Sequence, residues 1–152
     1  MKGYPMKSLI KRFLLIILAA SIGICLAGCV DADPTLLNEK VTTMIALSIE
    51  HDTESRYSML YPGVTDVDTY RSTAKMIDEY FPVTADYTWE LQQWNATKGL
   101  GNPVEIYDGQ YKISFDGKTF YAYVVWRSDS GGDGFTRFQI VSEEDQIAAK
   151  GN

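Results

Sequence analysis

Residues 30–152 contain no cysteine, because Cys25 and Cys29 are the only two in the chain. This excludes disulfides and thiolate metal sites from that part of the protein. His51 is the only histidine, so a zinc site built from several imidazoles is excluded as well. The same residues contain no glycine-rich phosphate loop, dinucleotide fingerprint or Gly-x-Ser-x-Gly motif. We therefore assign no catalytic, metal or cofactor-binding residues from the sequence.

Basic residues are scarce after residue 28. All twenty acidic residues but only ten of the fourteen basic ones lie there, which gives residues 29–152 a formal charge of −10. Such a charge argues against nucleic acid as a partner and against electrostatic adhesion to anionic lipid.

The first 28 residues have the composition of an export signal. Their basic residues precede an unbroken run of apolar and small residues at 13–24, which is shorter than the ~20 residues of a membrane-spanning helix. Small residues then lead to Cys29. This order of basic, apolar and small residues predicts a signal peptide.

Leu26, Ala27, Gly28 and Cys29 resemble the lipobox of bacterial lipoproteins. The resemblance implies a diacylglycerol group on the Cys29 sulfur and cleavage just before it, with residues 29–33 as a lipidated tether. It implies a lipid-anchored location on the extracytoplasmic side of the cell membrane. Val30 is not the aspartate that retains some lipoproteins at the inner membrane, so the outer membrane stays open for a source with two membranes. An ordinary secretory signal with a chance cysteine is the alternative.

Hydrophobic spacing predicts two helices between residues 34 and 62. Asp33 is expected to cap the first helix, with Pro34 as its first residue and an end near Glu50. Thr53 or Ser55 is expected to cap a second, short helix. We expect it to end before the proline and glycine at 62–63.

A third helix is predicted over 67–81. Thr65 and Asp68 stand three apart, an aspartate variant of the capping box. The apolar residues behind them are spaced three or four apart, as on one face of a helix: Val67, Tyr70, Ala74, Ile77 and Phe81.

From Tyr87 onward the hydrophobic period changes to two, and strands are predicted within 87–91, 104–115, 118–127 and 135–142. Asp116 and Gly117 predict a two-residue hairpin turn that pairs Phe115 with Lys118. One face of this hairpin should then pack on the helices, namely Tyr111, Ile113, Phe115, Phe120, Ala122, Val124 and Trp126. Residues 143–152 are expected to form a frayed polar tail.

Helices followed by antiparallel strands indicate one α+β domain over 34–142. Two or three N-terminal helices should pack on a curved sheet of about four strands. The first helix broken near His51, the helix over 67–81 and the aromatic strands ending at 134–140 resemble the nuclear transport factor 2-like superfamily. The resemblance implies a cone with a pocket between sheet and helices. Its members include dehydratases and isomerases as well as binding and assembly domains, so the fold selects no activity.

Three polar features have two interpretations each. His51 is either a general base or pH sensor, or a polar residue at a helix end, where the helix dipole favours it. Asp108 precedes Gly109 and is expected to form a bulge or a tight turn rather than to transfer protons. The segment 128–134 lacks the spacing of a twelve-residue calcium loop, so we expect a mobile connection between the last two strands.

Aromatic residues mark a possible binding face. Tyr121 and Tyr123 fall with Arg127 on the wetter side of the predicted hairpin. Trp94 breaks the alternation that precedes it and is expected to be exposed too. Exposed aromatic faces bind proteins, glycans or peptides. The alternative is a face covered by a helix or by a second copy of the domain.

These observations predict a non-enzymatic binding or assembly module tethered at the cell envelope, with an envelope protein or glycan as partner. The alternative is a small-molecule carrier, or a dehydratase- or isomerase-like enzyme, that uses the cone pocket. A homodimer through the open sheet face is a third hypothesis.

Overall fold

The computed structural model describes residues 33–83, 86–99 and 103–150. The predicted leader, Cys29 and all of the predicted tether except Asp33 lie outside the described residues. Three helices come first: α1 (Thr35–Ile49), α2 (Thr53–Ser58) and α3 (Val67–Asp78). Four strands and a last helix follow: β1 (Thr88–Lys98), β2 (Glu105–Phe115), β3 (Lys118–Asp129), β4 (Gly132–Ser142) and α4 (Glu143–Lys150).

The four strands form one sheet in the order β1-β2-β3-β4, and each neighbouring pair is antiparallel. The predicted α+β class, with N-terminal helices followed by about four antiparallel strands, is confirmed. Among the described residues, no helix is long and apolar enough to cross a bilayer.

Aspartate side chains begin the first three helices. The N-cap residue of α1 is Pro34 and not the predicted Asp33, so the helix starts one residue later than predicted. Asp33 still accepts a hydrogen bond from the backbone N–H of Thr35, at 2.9 Å. The predicted caps of the next two helices were wrong by one to three residues. Asp52 caps α2 and Asp66 caps α3, because a carboxylate accepts N–H groups of the first turn well.

The inner face of the sheet packs against α1. Hydrogen bonds fix this helix to two strands: Tyr111 donates to Asn38 at 2.6 Å, and Trp89 donates to Thr42 at 3.2 Å. All seven predicted inner residues of the β2–β3 hairpin are buried, together with Leu37, Val41, Met44, Ile45 and Phe81. In the described part of the chain these side chains fill the space between α1 and the sheet.

The register of the β2–β3 hairpin is as predicted. Phe115 pairs with Lys118, and Ile113 pairs with Phe120. Asp116 and Gly117 both have positive φ, at 47° and 72°. This backbone matches the right-handed twist of the two strands, so the turn itself sets the register.

Trp94 lies on the inner face, so its prediction as an exposed binding residue was wrong. The pairing of β1 with β2 skips a residue between Leu91 and Gln93. This bulge shifts the alternation by one, and Trp94 comes to pair with Gly109 and pack against the core. The bulge lies where the sequence period breaks. Trp94 is therefore on the same face as Trp89 and Leu91, and not on the opposite one.

Asp108 and Gly109 lie in the middle of β2, so the predicted bulge or tight turn at this pair was wrong. Their pairing with β3 is continuous. A Cβ at Gly109 would lie 2.9 Å from Leu37 Cδ2, which shows how closely α1 approaches the strand here. The glycine serves a close approach rather than a change of chain direction.

The connection between β3 and β4 is shorter than the predicted segment 128–134. Strand β3 continues to Asp129 and β4 begins at Gly132, so Ser130 and Gly131 alone form the turn. Gly134 then lies against the backbone of Leu60, which forms a parallel bridge with the next residue of β4.

Residues 143–150 form helix α4, so the expected frayed tail was wrong over this stretch. Ser142 accepts a hydrogen bond from the backbone N–H of Asp145 at its start. Gln146 is buried and donates to the hydroxyl of Tyr123 at 2.9 Å. Through this contact residues 143–150 dock on the face of the sheet opposite α1.

Candidate functional site

The outward face is the side of the sheet opposite α1, and its centre lies on β3. Tyr121, Tyr123, Val125 and Arg127 project from this strand, and all four are half-buried. The structure therefore brings together three of the four predicted face residues and places Trp94 on the other side of the sheet.

Polar side chains of the neighbouring strands flank the two tyrosines. Tyr121 pairs with Lys112 on β2, and Tyr123 pairs with Gln110 on β2 and with Gln139 on β4. Such a surface offers aromatic area and hydrogen-bonding groups at once, as protein interfaces do.

Asp108 and Arg137 flank Val125 from the two neighbouring strands, and both are exposed. They line a shallow depression of about 100 Å³ that also reaches Gln93, Gln110 and Tyr123. Asp108 was predicted to form a turn, but its carboxylate lies on the outward face.

Helix α4 covers one edge of the outward face. Gln146 contacts Tyr123, whereas the next residue, Ile147, is 65% exposed. A helix therefore covers the hydroxyl of Tyr123, as one of the two alternatives for this face proposed. Tyr121 and Tyr123 both remain partly exposed.

A second polar cluster lies where β3 turns into β4. Arg127 Nε is 2.5 Å from Asp129 Oδ2, and the guanidinium lies 5.1 Å from the centre of the Tyr61 ring. The Tyr61 hydroxyl donates to Asp129 Oδ1 at 2.7 Å, and the backbone N–H of Gly131 donates to the same atom at 2.7 Å. The Tyr61 hydrogen bond is the main cause that lowers the pKa of Asp129, so the carboxylate stays charged at neutral pH.

His51 has a backbone role. It follows α1 in the left-handed conformation, with φ of 55°, and its Nε2 donates to the carbonyl oxygen of Phe81 at 2.5 Å. The ring ties the end of α1 to the segment after α3. This geometry favours the helix-end interpretation of His51 over the general base.

Arg56 is a buried charged residue that the sequence did not indicate as a candidate. Its side chain is fully buried and contacts Asp78 at 2.6 Å and Thr53 at 3.2 Å through Nη2. Nε and Nη1 have no hydrogen-bond partner in the described chain. No pattern predicted this, because an arginine in a short polar helix is ordinarily exposed.

A depression of about 500 Å³ lies at the β2–β3 turn, at the opposite end of β3 from Arg127. Tyr80, Phe115 and Phe120 line it together with Glu79 and Glu143. Across residues 33–83, 86–99 and 103–150, no three histidine, cysteine or acidic side chains lie close enough together to hold a metal ion.

No protein-family model matches this chain, and no curated protein and no solved structure matches it either. No activity, ligand or partner is therefore carried over from another protein.

Proposed function

We propose that this protein is a lipid-anchored extracytoplasmic lipoprotein whose domain is a non-enzymatic binding or assembly module at the cell envelope. The observation that carries the binding role is the outward face, where Tyr121 and Tyr123 stay partly exposed among amide and charged side chains. The anchor rests on Cys29 and the export signal before it. The order of helices and strands is compatible with the nuclear transport factor 2-like cone, which we propose as the fold family.

The packed interior favours this role over a carrier or enzyme that uses a cone pocket. Such a protein needs an interior cavity with an ionisable group in it. In the described residues the inner face is occupied by large apolar side chains, including Tyr111, Trp126 and Phe135. The phenol of Tyr111 is hydrogen-bonded to Asn38, and burial raises its pKa far above the usual value. It is therefore a poor proton donor or acceptor near neutral pH.

The anchor is tested with Cys29→Ala. We expect the variant to lose incorporation of radioactive palmitate and to accumulate uncleaved or released from the membrane. Cys25→Ala is the matched control, because that cysteine lies within the leader, and it should label normally. Labelling that persists in Cys29→Ala would refute the lipobox interpretation.

The binding role is tested by affinity capture from envelope extracts. We expect a protein or glycan partner that the native chain retains and that the Tyr121→Ala/Tyr123→Ala double variant loses. Met76→Ala is the control, because Met76 is 58% exposed on α3, away from the sheet. Equal capture by the double variant, or no partner at all, contradicts the proposal. If the partner is a second copy of the chain, sedimentation velocity at micromolar concentration will show a dimer that the double variant loses.

A further inference from the structure

The cluster around Arg127 borders a depression of about 280 Å³ at the β3–β4 end of the sheet. We call it the end pocket. It is lined by Tyr61, Arg127 and Asp129, by the turn residues Ser130 and Gly131, and by Pro103 and Val104, which precede β2. Its volume suits a small ligand or the end of a larger one, since a water molecule in the liquid occupies about 30 Å³.

Asp129 holds the guanidinium of Arg127 in place. Only 8% of the Asp129 side chain is exposed, and it is fixed by the hydroxyl of Tyr61 and the backbone N–H of Gly131. In turn it accepts the hydrogen bond of Arg127 Nε. The Tyr61 ring supports the guanidinium from one face. The arginine is therefore oriented before any ligand arrives, which lowers the entropy cost of binding.

The two terminal nitrogens of Arg127 form no hydrogen bond within the described residues. Nε is the only guanidinium atom that hydrogen-bonds within the described residues, and 42% of the side chain is exposed. A guanidinium presents two parallel N–H groups at its end, and this fork matches the two oxygens of a carboxylate. Asp129 occupies a different edge of the same group.

We propose that the end pocket binds a carboxylate, held by two hydrogen bonds from the terminal nitrogens of Arg127. The ligand is a small carboxylate or the carboxylate end of a larger molecule. Because residues 29–152 have a formal charge of −10 and Asp129 is adjacent, binding depends on the bidentate geometry and not on net charge. The inference rests on this pocket alone and stands whether or not the outward face binds a partner.

The test is a titration followed by nuclear magnetic resonance of the arginine side-chain N–H groups, with the full chain in nonionic detergent. The probes are N-acetylglycine, its neutral amide and glucuronate. We expect a saturable shift of the Arg127 signal with a dissociation constant in the millimolar range for the carboxylates, and no saturable shift with the amide. A tighter response to N-acetylglycine points to a peptide C-terminus, and a tighter response to glucuronate points to an acidic sugar.

Two variants test the proposed geometry. Arg127→Lys keeps the charge but not the fork, and we expect at least about tenfold weaker binding. Arg71→Lys is the matched control, because that arginine is exposed on α3 and its guanidinium is already paired with Glu54 and Asp68, and it should bind as the native chain does. Tyr61→Phe removes the hydroxyl that fixes Asp129 and should weaken binding a few-fold without changing the fluorescence of the folded protein. Equal effects of the two lysine variants, or saturable binding of the amide, would overturn the proposal.

Discussion

Removing the carboxylate of Asp78 should destabilise the domain more than removing the arginine with which it pairs. The two side chains contact each other at 2.6 Å, but their surroundings differ. Arg56 is fully buried, whereas 22% of the Asp78 side chain is exposed. Two of the three guanidinium nitrogens already lack a partner in the described chain, so Asp78 supplies most of what stabilises the buried charge.

The loss of stability in each variant depends on which charged group remains without its partner. Asp78→Ala leaves a buried guanidinium without its counter-ion, and losing one member of a buried pair costs about 3–5 kcal/mol. Arg56→Met replaces the buried charge by an apolar chain of similar length and leaves a carboxylate that reaches solvent. We expect a cost of about 1 kcal/mol for this variant, at the lower end for one unpaired polar group. The double variant should therefore be more stable than Asp78→Ala alone.

Urea unfolding of the full-length chain in nonionic detergent measures these differences. Trp89, Trp94 and Trp126 are the three tryptophans of the chain and all lie in the sheet, so their fluorescence reports its unfolding. Arg71→Ala is the control, because Arg71 forms exposed ion pairs with Glu54 and Asp68 and its removal should change little. The reasoning is refuted if Asp78→Ala is no less stable than Arg56→Met, or if the double variant is the least stable of the three.

Three further predictions concern the ends of the sheet. Gly134→Ala should lower the midpoint of urea unfolding strongly, because the new Cβ would overlap the backbone of Tyr61; an unchanged midpoint would show that this segment yields freely. The hydrogen bond from Tyr61 to Asp129 lowers the pKa of the carboxyl below 3.8 and raises the pKa of the phenol above 10.0. The Asp129 carboxyl stabilises the fold above pH 3.8, and this contribution is lost as the pH falls through its lower folded pKa. The Tyr61 phenol stabilises the fold below pH 10.0, and this contribution is lost as the pH rises through its higher folded pKa. Native and Tyr61→Phe chains should then differ by a constant amount between about pH 5 and 9 and converge outside that range; a difference that drifts within it contradicts the assignment. Gln146→Ala should release α4 from Tyr123 and speed hydrogen exchange in that helix alone, and faster exchange throughout β3 would show a wider role.

Local chemistry explains why much of the fold was predictable. The turn at Asp116 and Gly117 needs only the conformational preferences of two residues, and it fixed the register of the central hairpin. The alternation of apolar residues on either side then determined which face of β2 and β3 is buried. The helix starts were predicted less well, because several neighbouring threonine, serine and aspartate side chains compete for one cap.

The candidate site was predicted only in part, and Trp94 shows why. Tyr121, Tyr123 and Arg127 share one face because they lie on one strand at a period of two. Trp94 lies on another strand, and its face depends on a bulge that appears only when β1 pairs with β2. Strand pairing is a non-local event, so the sequence period of β1 alone gave the wrong face.

By itself the sequence determined the order of the first three helices and the four strands, the register of the central hairpin and the absence of cysteine after Cys29. Each of these depends on residues that are close along the chain. The tertiary structure decided which polar groups meet. Arg56 and Asp78 are 22 residues apart, and Tyr61 and Asp129 are 68 apart. Neither pair has a local signature, because its free energy arises only when packing removes both partners from water and holds them at hydrogen-bonding distance.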